Sequence, residues 1–123
     1  MALLEGSPAI DQGMNFAIMT DQRDVVRPYD LPSVANAGGG DGSDIGAYEF
    51  LPTPELNIQR ANSADVVLFW STDAADFRLE SGTNVSAPDS RTDVNTARVT
   101  IGDQVYITNS AAGDGQCYRL IYP

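Results

Sequence analysis

The apolar run Val66–Trp70 is the feature of this sequence that most constrains the fold. It contains five consecutive apolar residues, β-branched or aromatic apart from one leucine, and it is too short for an ordinary helix. We therefore predict a central β-strand that is covered on both faces. Residues 1–50 show no sustained helical periodicity, so the chain is predicted to be all-β.

Five further segments of residues 55–123 have strand patterns separated by Gly, Asp and Asn turns. Within one of them, Phe77 and Leu79 alternate with polar residues and are expected to point inward. Strands at this short spacing predict a small β-sandwich. The five segments are residues 56–59, 77–80, 98–101, 105–108 and 117–122.

The turn between two of these strands could have either of two lengths. A two-residue Gly102-Asp103 loop suits a type II′ hairpin, whereas a three-residue loop over residues 102–104 places Ile101 opposite Val105. The longer loop gives a uniform apolar face, and burial of a branched side chain contributes about 1.5–3 kcal/mol. We therefore predict the three-residue loop, which also places Val99 opposite Ile107.

The first fifty residues differ in composition and in apolar patterning from the rest of the chain. Gly, Asp, Pro and Asn recur there, and apolar residues occur singly. The segment Leu51–Pro54 has alternate prolines, which favour an extended path. The predicted organisation is a loop-rich segment over residues 1–50, a Pro-rich linker over 51–54 and a β-sandwich over 55–123.

The charge balance excludes several classes of function. The chain has 17 acidic residues against seven Arg and has neither Lys nor His, giving a formal charge of −10. Binding to nucleic acid or to an anionic membrane surface requires cationic side chains on the protein, so neither is expected. No apolar stretch approaches the roughly 20 residues of a membrane span, so membrane insertion is not expected either. The absence of His and Lys removes the usual general bases and Schiff-base lysines, so we predict that the chain is not an enzyme.

The cysteine content and the first residues bear on disulfide bonding and on secretion. Cys117 is the single cysteine, so no intrachain disulfide forms, and a small buried thiol is expected. The start, residues 1–5, lacks the basic and apolar regions of a signal peptide. If the protein is secreted, we expect that the signal has been removed or lies on a longer parent chain.

Four short motifs follow one another in the first fifty residues: Gly6–Gly13, Thr20–Arg23, Arg27-Pro28 and Asp44–Glu49. In this order they resemble the choice-of-anchor type of C-terminal motif in bacterial parallel β-helix surface proteins, which reads approximately S-P-A-I-D-x-G, D-x-R-G, R-P, D-I-G-A-x-E. The resemblance implies a segment that closes an upstream β-helix, on the cell surface or outside the cell. Asp24 stands where the family pattern has a glycine, which would permit positive φ.

The acidic residues of these motifs have two interpretations. In the first, Asp11 and Asp44 cap turns and form ion pairs with Arg23 and Arg27. In the second, carboxylates bind Ca²⁺, which requires six to eight oxygen ligands. The candidate calcium ligands are Asp21, Asp41, Asp44 and Glu49, and calcium is the only cofactor considered.

Residues 54–123 resemble the small fibronectin- or immunoglobulin-like module that ends many secreted bacterial proteins. The match rests on four segments, which are residues 54–58, 67–70, Phe77–Glu80 and Cys117–Leu120. It implies an accessory β-sandwich with Trp70 in its core. The leading hypothesis is therefore a non-catalytic cap and accessory module of a β-helix protein.

Two alternatives remain open at this point. Tyr106, Tyr118 and Tyr122 could line a glycan-binding face of the sandwich, assisted by calcium. The chain could also be a fragment of a polysaccharide-degrading enzyme, because paired carboxylates serve glycosidases. The sites of such β-helix enzymes lie on the helix body.

Overall fold

The computed structural model describes residues 2–87, 90–111 and 115–123. The chain divides into two compact units, an N-terminal unit (Met1–Thr53) and a C-terminal unit (Pro54–Pro123). The division falls inside the segment predicted as a Pro-rich linker. Among the described residues, no helix has the length and apolar character needed to cross a membrane.

The C-terminal unit is all-β, which confirms the predicted class. Its two antiparallel sheets have the strand orders β1-β2-β6-β5 and β4-β3-β7 and are consistent with a small β-sandwich. A short 3₁₀ helix, Thr72–Ala74, follows β2. The strands are β1 (Asn57–Arg60), β2 (Asp65–Ser71), β3 (Arg78–Gly82), β4 (Thr92–Asp93), β5 (Val99–Ile101), β6 (Gln104–Ser110) and β7 (Cys117–Ile121).

The core of this unit is apolar and draws on both sheets. Phe77 and Leu79 are buried, as the alternation predicted. Trp70 is fully buried, and its indole Nε1 donates a hydrogen bond of 2.9 Å to the carbonyl of Ala74. A buried tryptophan thus keeps its one polar atom satisfied. The buried cluster comprises Leu68, Trp70, Ala74, Phe77, Leu79, Val105 and Ile107.

Strand β2 is an inner strand of its sheet, but only one of its faces is fully buried. Leu68 and Trp70 point into the core, whereas Val67 and Phe69 on the other face are half-buried. The prediction of cover on both faces was therefore wrong. Cross-strand contact explains the apolar outer face, because the ring of Phe69 stacks on Tyr106 of β6 at 5.5 Å between centroids.

The hairpin between β5 and β6 has the two-residue loop, so the predicted three-residue loop was wrong. Ile101 lies opposite Gln104, and Val99 lies opposite Tyr106. Gly102 has a φ of 61°, as the first central position of a type II′ turn requires. The burial argument failed because β5 is an edge strand whose Val99 and Ile101 are 54% and 63% exposed.

The N-terminal unit contains no strand among its described residues. Its one ladder-like contact is an isolated antiparallel bridge between Thr20 and Val26. Four apolar side chains are buried in it: Ile10, Val25, Tyr29 and Leu31. With no sheet to pair its peptide groups, the unit must satisfy its buried backbone donors in another way.

Candidate functional site

The motif residues of the N-terminal unit form a buried polar network. Its side chains are almost completely removed from solvent, and most of their hydrogen bonds are to backbone groups, several of which belong to residues far away in sequence. Buried carboxylates require such partners, because desolvation of a charge without hydrogen bonds is strongly unfavourable. The buried polar residues are Asp11, Asp21, Arg27, Ser43, Asp44 and Glu49.

Asp44 joins two segments through its carboxylate. Its Oδ1 accepts the backbone N–H of Asp11 at 2.8 Å, and its Oδ2 accepts the backbone N–H of Phe50. Hydrogen bonds to charged acceptors contribute about 1.5–3 kcal/mol each. Asp44 therefore ties the first motif to the end of the last motif.

Asp11 extends this connection to a third segment. Its Oδ2 accepts the N–H of Leu31 at 3.1 Å, while its Oδ1 is buried without a hydrogen-bond partner among the described residues. Burial raises the pKa of Asp11 from 3.8 to about 6; the Leu31 N–H opposes this, and the charges of Asp44, Asp30 and Glu49 add to it. Asp11 also has a φ of 56°, a conformation that Asp tolerates better than most residues.

Asp21 and Arg23 form the second part of the network. Arg23 Nη2 lies 2.7 Å from Asp21 Oδ2 and also donates to the carbonyl of Glu49 at 2.5 Å. Asp21 further accepts the backbone N–H groups of Arg23, Val25 and Glu49. Burial alone would raise the pKa of Asp21, but the hydrogen bonds from Arg23 and the backbone outweigh it and hold that pKa below its ordinary value. The Arg23 guanidinium also covers the ring of Tyr48 at 4.9 Å.

Arg27 and Glu49 form the third part. Arg27 Nε lies 2.7 Å from Glu49 Oε1 in a buried ion pair whose angle is outside hydrogen-bond geometry. Arg27 also donates to the carbonyls of Gly46 and Asp44, and Glu49 accepts the N–H groups of Tyr29 and Asp44. Burial raises the pKa of Glu49 above its ordinary value, and these hydrogen bonds only partly oppose it.

The structure corrects the predicted ion pairs. Arg23 pairs with Asp21 and Arg27 pairs with Glu49, whereas Asp11 and Asp44 bind backbone N–H groups. Both aspartates accept backbone N–H groups as expected, but the donors lie six or more residues away rather than in the turns that they were predicted to cap, and the arginines take other partners. Sequence order could not reveal this, because the paired groups lie in irregular loops without a fixed period.

The proposed calcium ligands do not assemble into a metal site. No group of three or more acidic, His or Cys side chains in the described part of the chain has metal-binding geometry. Asp41 accepts the N–H groups of Asn15 and Ser43, which lower its pKa. The oxygens of Asp21, Asp44 and Glu49 likewise face N–H donors, so they are not directed at a common cation.

Close backbone approaches hold the same loops together. A Cβ on Gly13 would lie 2.7 Å from the carbonyl oxygen of Asp44, and one on Gly40 would lie 2.9 Å from that of Gly13. Both distances are shorter than any side chain tolerates. These glycines are therefore required for contact between loops, which the sequence signalled only as a general richness in glycine.

The three tyrosines predicted to line a glycan face do not share one. Tyr118 and Tyr122 pack against the apolar core, and the ring of Tyr122 contacts Phe77 edge-on at 5.5 Å. Tyr106 lies between the buried Val105 and Ile107 on β6, so its ring is on the opposite, outer face. Only Tyr106 remains on an open face.

Cys117 is half-buried rather than buried. Its Sγ lies 3.0 Å from the carbonyl oxygen of Gly82 on the neighbouring strand. The thiol is thus a weak donor within a strand pair, and this position adds no chemistry to the network.

Large apolar side chains of the N-terminal unit stand in solvent. Met14, Phe16, Ile18 and Ile45 together line one groove of about 310 Å³. Phe16 is 80% exposed, and it has a φ of 50°, which is unusual for a bulky residue. Contiguous exposed apolar side chains of this kind mark a contact surface more often than scattered ones do. The sequence gives no periodic signal for this surface, because its apolar residues lie in loops without regular spacing.

Comparison with protein-family models, with curated proteins and with solved structures gives no significant match to this chain.

Proposed function

We propose that this chain is the non-catalytic closure and accessory module of a bacterial parallel β-helix protein, on the cell surface or outside the cell. The N-terminal unit caps the β-helix, and the C-terminal unit is a fibronectin- or immunoglobulin-like module. An exposed β-helix end presents unpaired edges that invite aggregation, and a cap removes them.

One observation carries the proposal. The buried carboxylates of the motifs accept hydrogen bonds from the unit's own backbone or pair with its arginines, so they are not presented to a substrate. The same unit exposes Met14, Phe16, Ile18 and Ile45 around one groove. Polar groups turned inward and apolar groups turned outward suit a segment that packs against a protein surface.

The first experiment identifies the native polypeptide. An antibody raised against this chain captures the protein from its source, and mass spectrometry reads the captured sequence. We expect a polypeptide longer than 13.1 kDa with β-helix coils before residue 1. A native polypeptide of 13.1 kDa would contradict the proposal.

The second experiment tests the contact surface in that longer protein. We expect Phe16→Ser to lower its melting temperature, because the ring would be buried against the last coil, and to change that of the 123-residue chain little. Val85→Ser is the matched control, because Val85 is 71% exposed in the C-terminal unit. Equal effects of the two substitutions in the longer protein would contradict a cap contact at Phe16.

A second candidate is glycan binding on the outer face of the four-stranded sheet. It is favoured by the half-buried stacked pair of Phe69 and Tyr106, with the amide of Asn57 opposite Phe69 in the register. Glycan-array binding that is lost in Tyr106→Ala and kept in Tyr122→Phe would support it. An array without any bound glycan would remove it.

A further inference from the structure

Three buried carboxylates of the N-terminal unit lie near one buried guanidinium, which forms an ion pair with Glu49. Asp11, Asp44 and Glu49 are at most 1% exposed, and Arg27 is the buried cation beside them. The three residues lie close together, since the carboxylate of Asp44 accepts the backbone N–H of Asp11 and that of Glu49 accepts the backbone N–H of Asp44. Arg27 contacts Glu49 and the carbonyls of Asp44 and Gly46, so the carboxylate of Asp11 has no cation of its own.

One buried carboxylate oxygen in this region lacks a donor. Asp11 Oδ1 is buried without a hydrogen bond among the described residues, while Oδ2 of the same carboxylate accepts the N–H of Leu31 at 3.1 Å. A buried carboxylate oxygen without a donor is a costly place for negative charge and a favourable place for a proton.

We propose that Asp11, enclosed by Asp44 and Glu49, is a proton-binding site that strengthens the N-terminal unit as the pH falls from neutral to mildly acidic. The charged groups that act on Asp11 are Asp44, Asp30 and Glu49, with Arg27 next to Glu49. Three buried carboxylates then face one buried guanidinium. When one proton binds, two charged carboxylates remain with that guanidinium.

The direction of the pH dependence follows from linkage. The pKa of Asp11 is raised from 3.8 to about 6, so the folded unit binds more protons than the unfolded chain between these values. The added stability is complete at a pH below the pKa of Asp11 in the unfolded chain. It is lost as the pH rises through the pKa of Asp11 in the folded unit. Glu49 acts in the same direction, whereas the lowered pKa values of Asp21 and Asp41 remove stability in stronger acid.

The test measures proton uptake and stability in the full chain. Carboxyl ¹³C chemical shifts give the titration of Asp11 directly, and hydrogen exchange of residues 9–50, corrected for intrinsic rates, gives the protection of the unit. We expect the Asp11 carboxyl to titrate near pH 6 and protection to rise about tenfold from pH 7 to pH 5. An Asp11 midpoint at or below pH 4, or protection that is flat or falling over this range, would overturn the proposal.

Two comparisons separate the buried site from general surface repulsion in this acidic chain. Asp24→Asn, which changes an exposed carboxylate, should keep the rise in protection, whereas Asp11→Asn should abolish it. The rise should also persist in about 1 M salt, which screens exposed charges far more than buried ones. If the rise in protection is lost in Asp24→Asn or in high salt, it arises from surface charge and the proposal is overturned. If Asp11→Asn does not fold, the titration of Asp11 in the wild type decides between the two outcomes.

Discussion

The largest fully buried side chains of the two units differ in kind. They are Trp70, Leu68, Leu79 and Ile107 in the C-terminal unit, and Glu49, Asp11, Asp44 and Ser43 in the N-terminal unit. The C-terminal unit pairs its peptide groups in two sheets, so its interior can be apolar. The N-terminal unit has loops in place of sheets, and short carboxylate side chains accept the N–H groups that a neighbouring strand would otherwise accept.

This difference explains why one unit is easier to read from sequence than the other. The Val66–Trp70 run and the alternation at Phe77 and Leu79 located strands because sheet burial has a period of two. The two-residue strand β4 (Thr92–Asp93) is polar and gave no such signal. In the N-terminal unit, the order of the motifs pointed to the right acidic residues, but their partners depend on loop paths that have no period.

The N-terminal unit also places an aspartate in a backbone conformation that favours glycine. Asp24, directly after Arg23, has a φ of 65°. Asp is one of the few residues that tolerate this region.

The largest expected effect concerns the apolar core of the C-terminal unit. Trp70→Ala should destabilise that unit by about 3–5 kcal/mol, because it leaves a cavity and removes the hydrogen bond to Ala74. Urea denaturation followed by circular dichroism measures the change. Ile101→Ala is the control, and its exposed side chain should change stability by no more than about 0.5 kcal/mol. Equal losses in the two variants would contradict an apolar core centred on Trp70.

A smaller effect tests the tight loop contacts of the N-terminal unit. Gly42 and Gly39 have φ values of +83° and +84°, but a Cβ would lie 2.7 Å from Asp30 Cβ at Gly42 and would meet nothing within 4 Å at Gly39. Gly39→Ala should cost about 1 kcal/mol from backbone strain alone, and Gly42→Ala about 2 kcal/mol or more. Thermal unfolding of the two variants gives the difference. Equal costs would mean that the loop beside Asp30 is not closely packed.

The smallest effect has the opposite sign. Asp24→Gly should stabilise the N-terminal unit by up to about 1 kcal/mol, because glycine adopts positive φ without strain, although its greater freedom in the unfolded chain offsets part of the gain. Asp24→Asn should be nearly neutral, since Asn tolerates the same conformation. Hydrogen-exchange protection of residues 20–27 measures both. A destabilised Asp24→Gly variant would show that the Asp24 side chain itself is needed in the turn.

The most direct test of the difference between the units is hydrogen exchange, resolved by unit, in the full-length Asp44→Asn variant. In the wild type, the carboxylate of Asp44 accepts the backbone N–H groups of Asp11 and Phe50. The amide of the variant has only one acceptor oxygen, so its NH₂ group faces one of these two N–H donors. We expect protection across residues 10–50 to fall by a factor corresponding to about 3 kcal/mol, while β2 and β6 exchange as in the wild type. Unchanged protection of residues 10–50 would contradict the conclusion that buried carboxylates hold the N-terminal unit together.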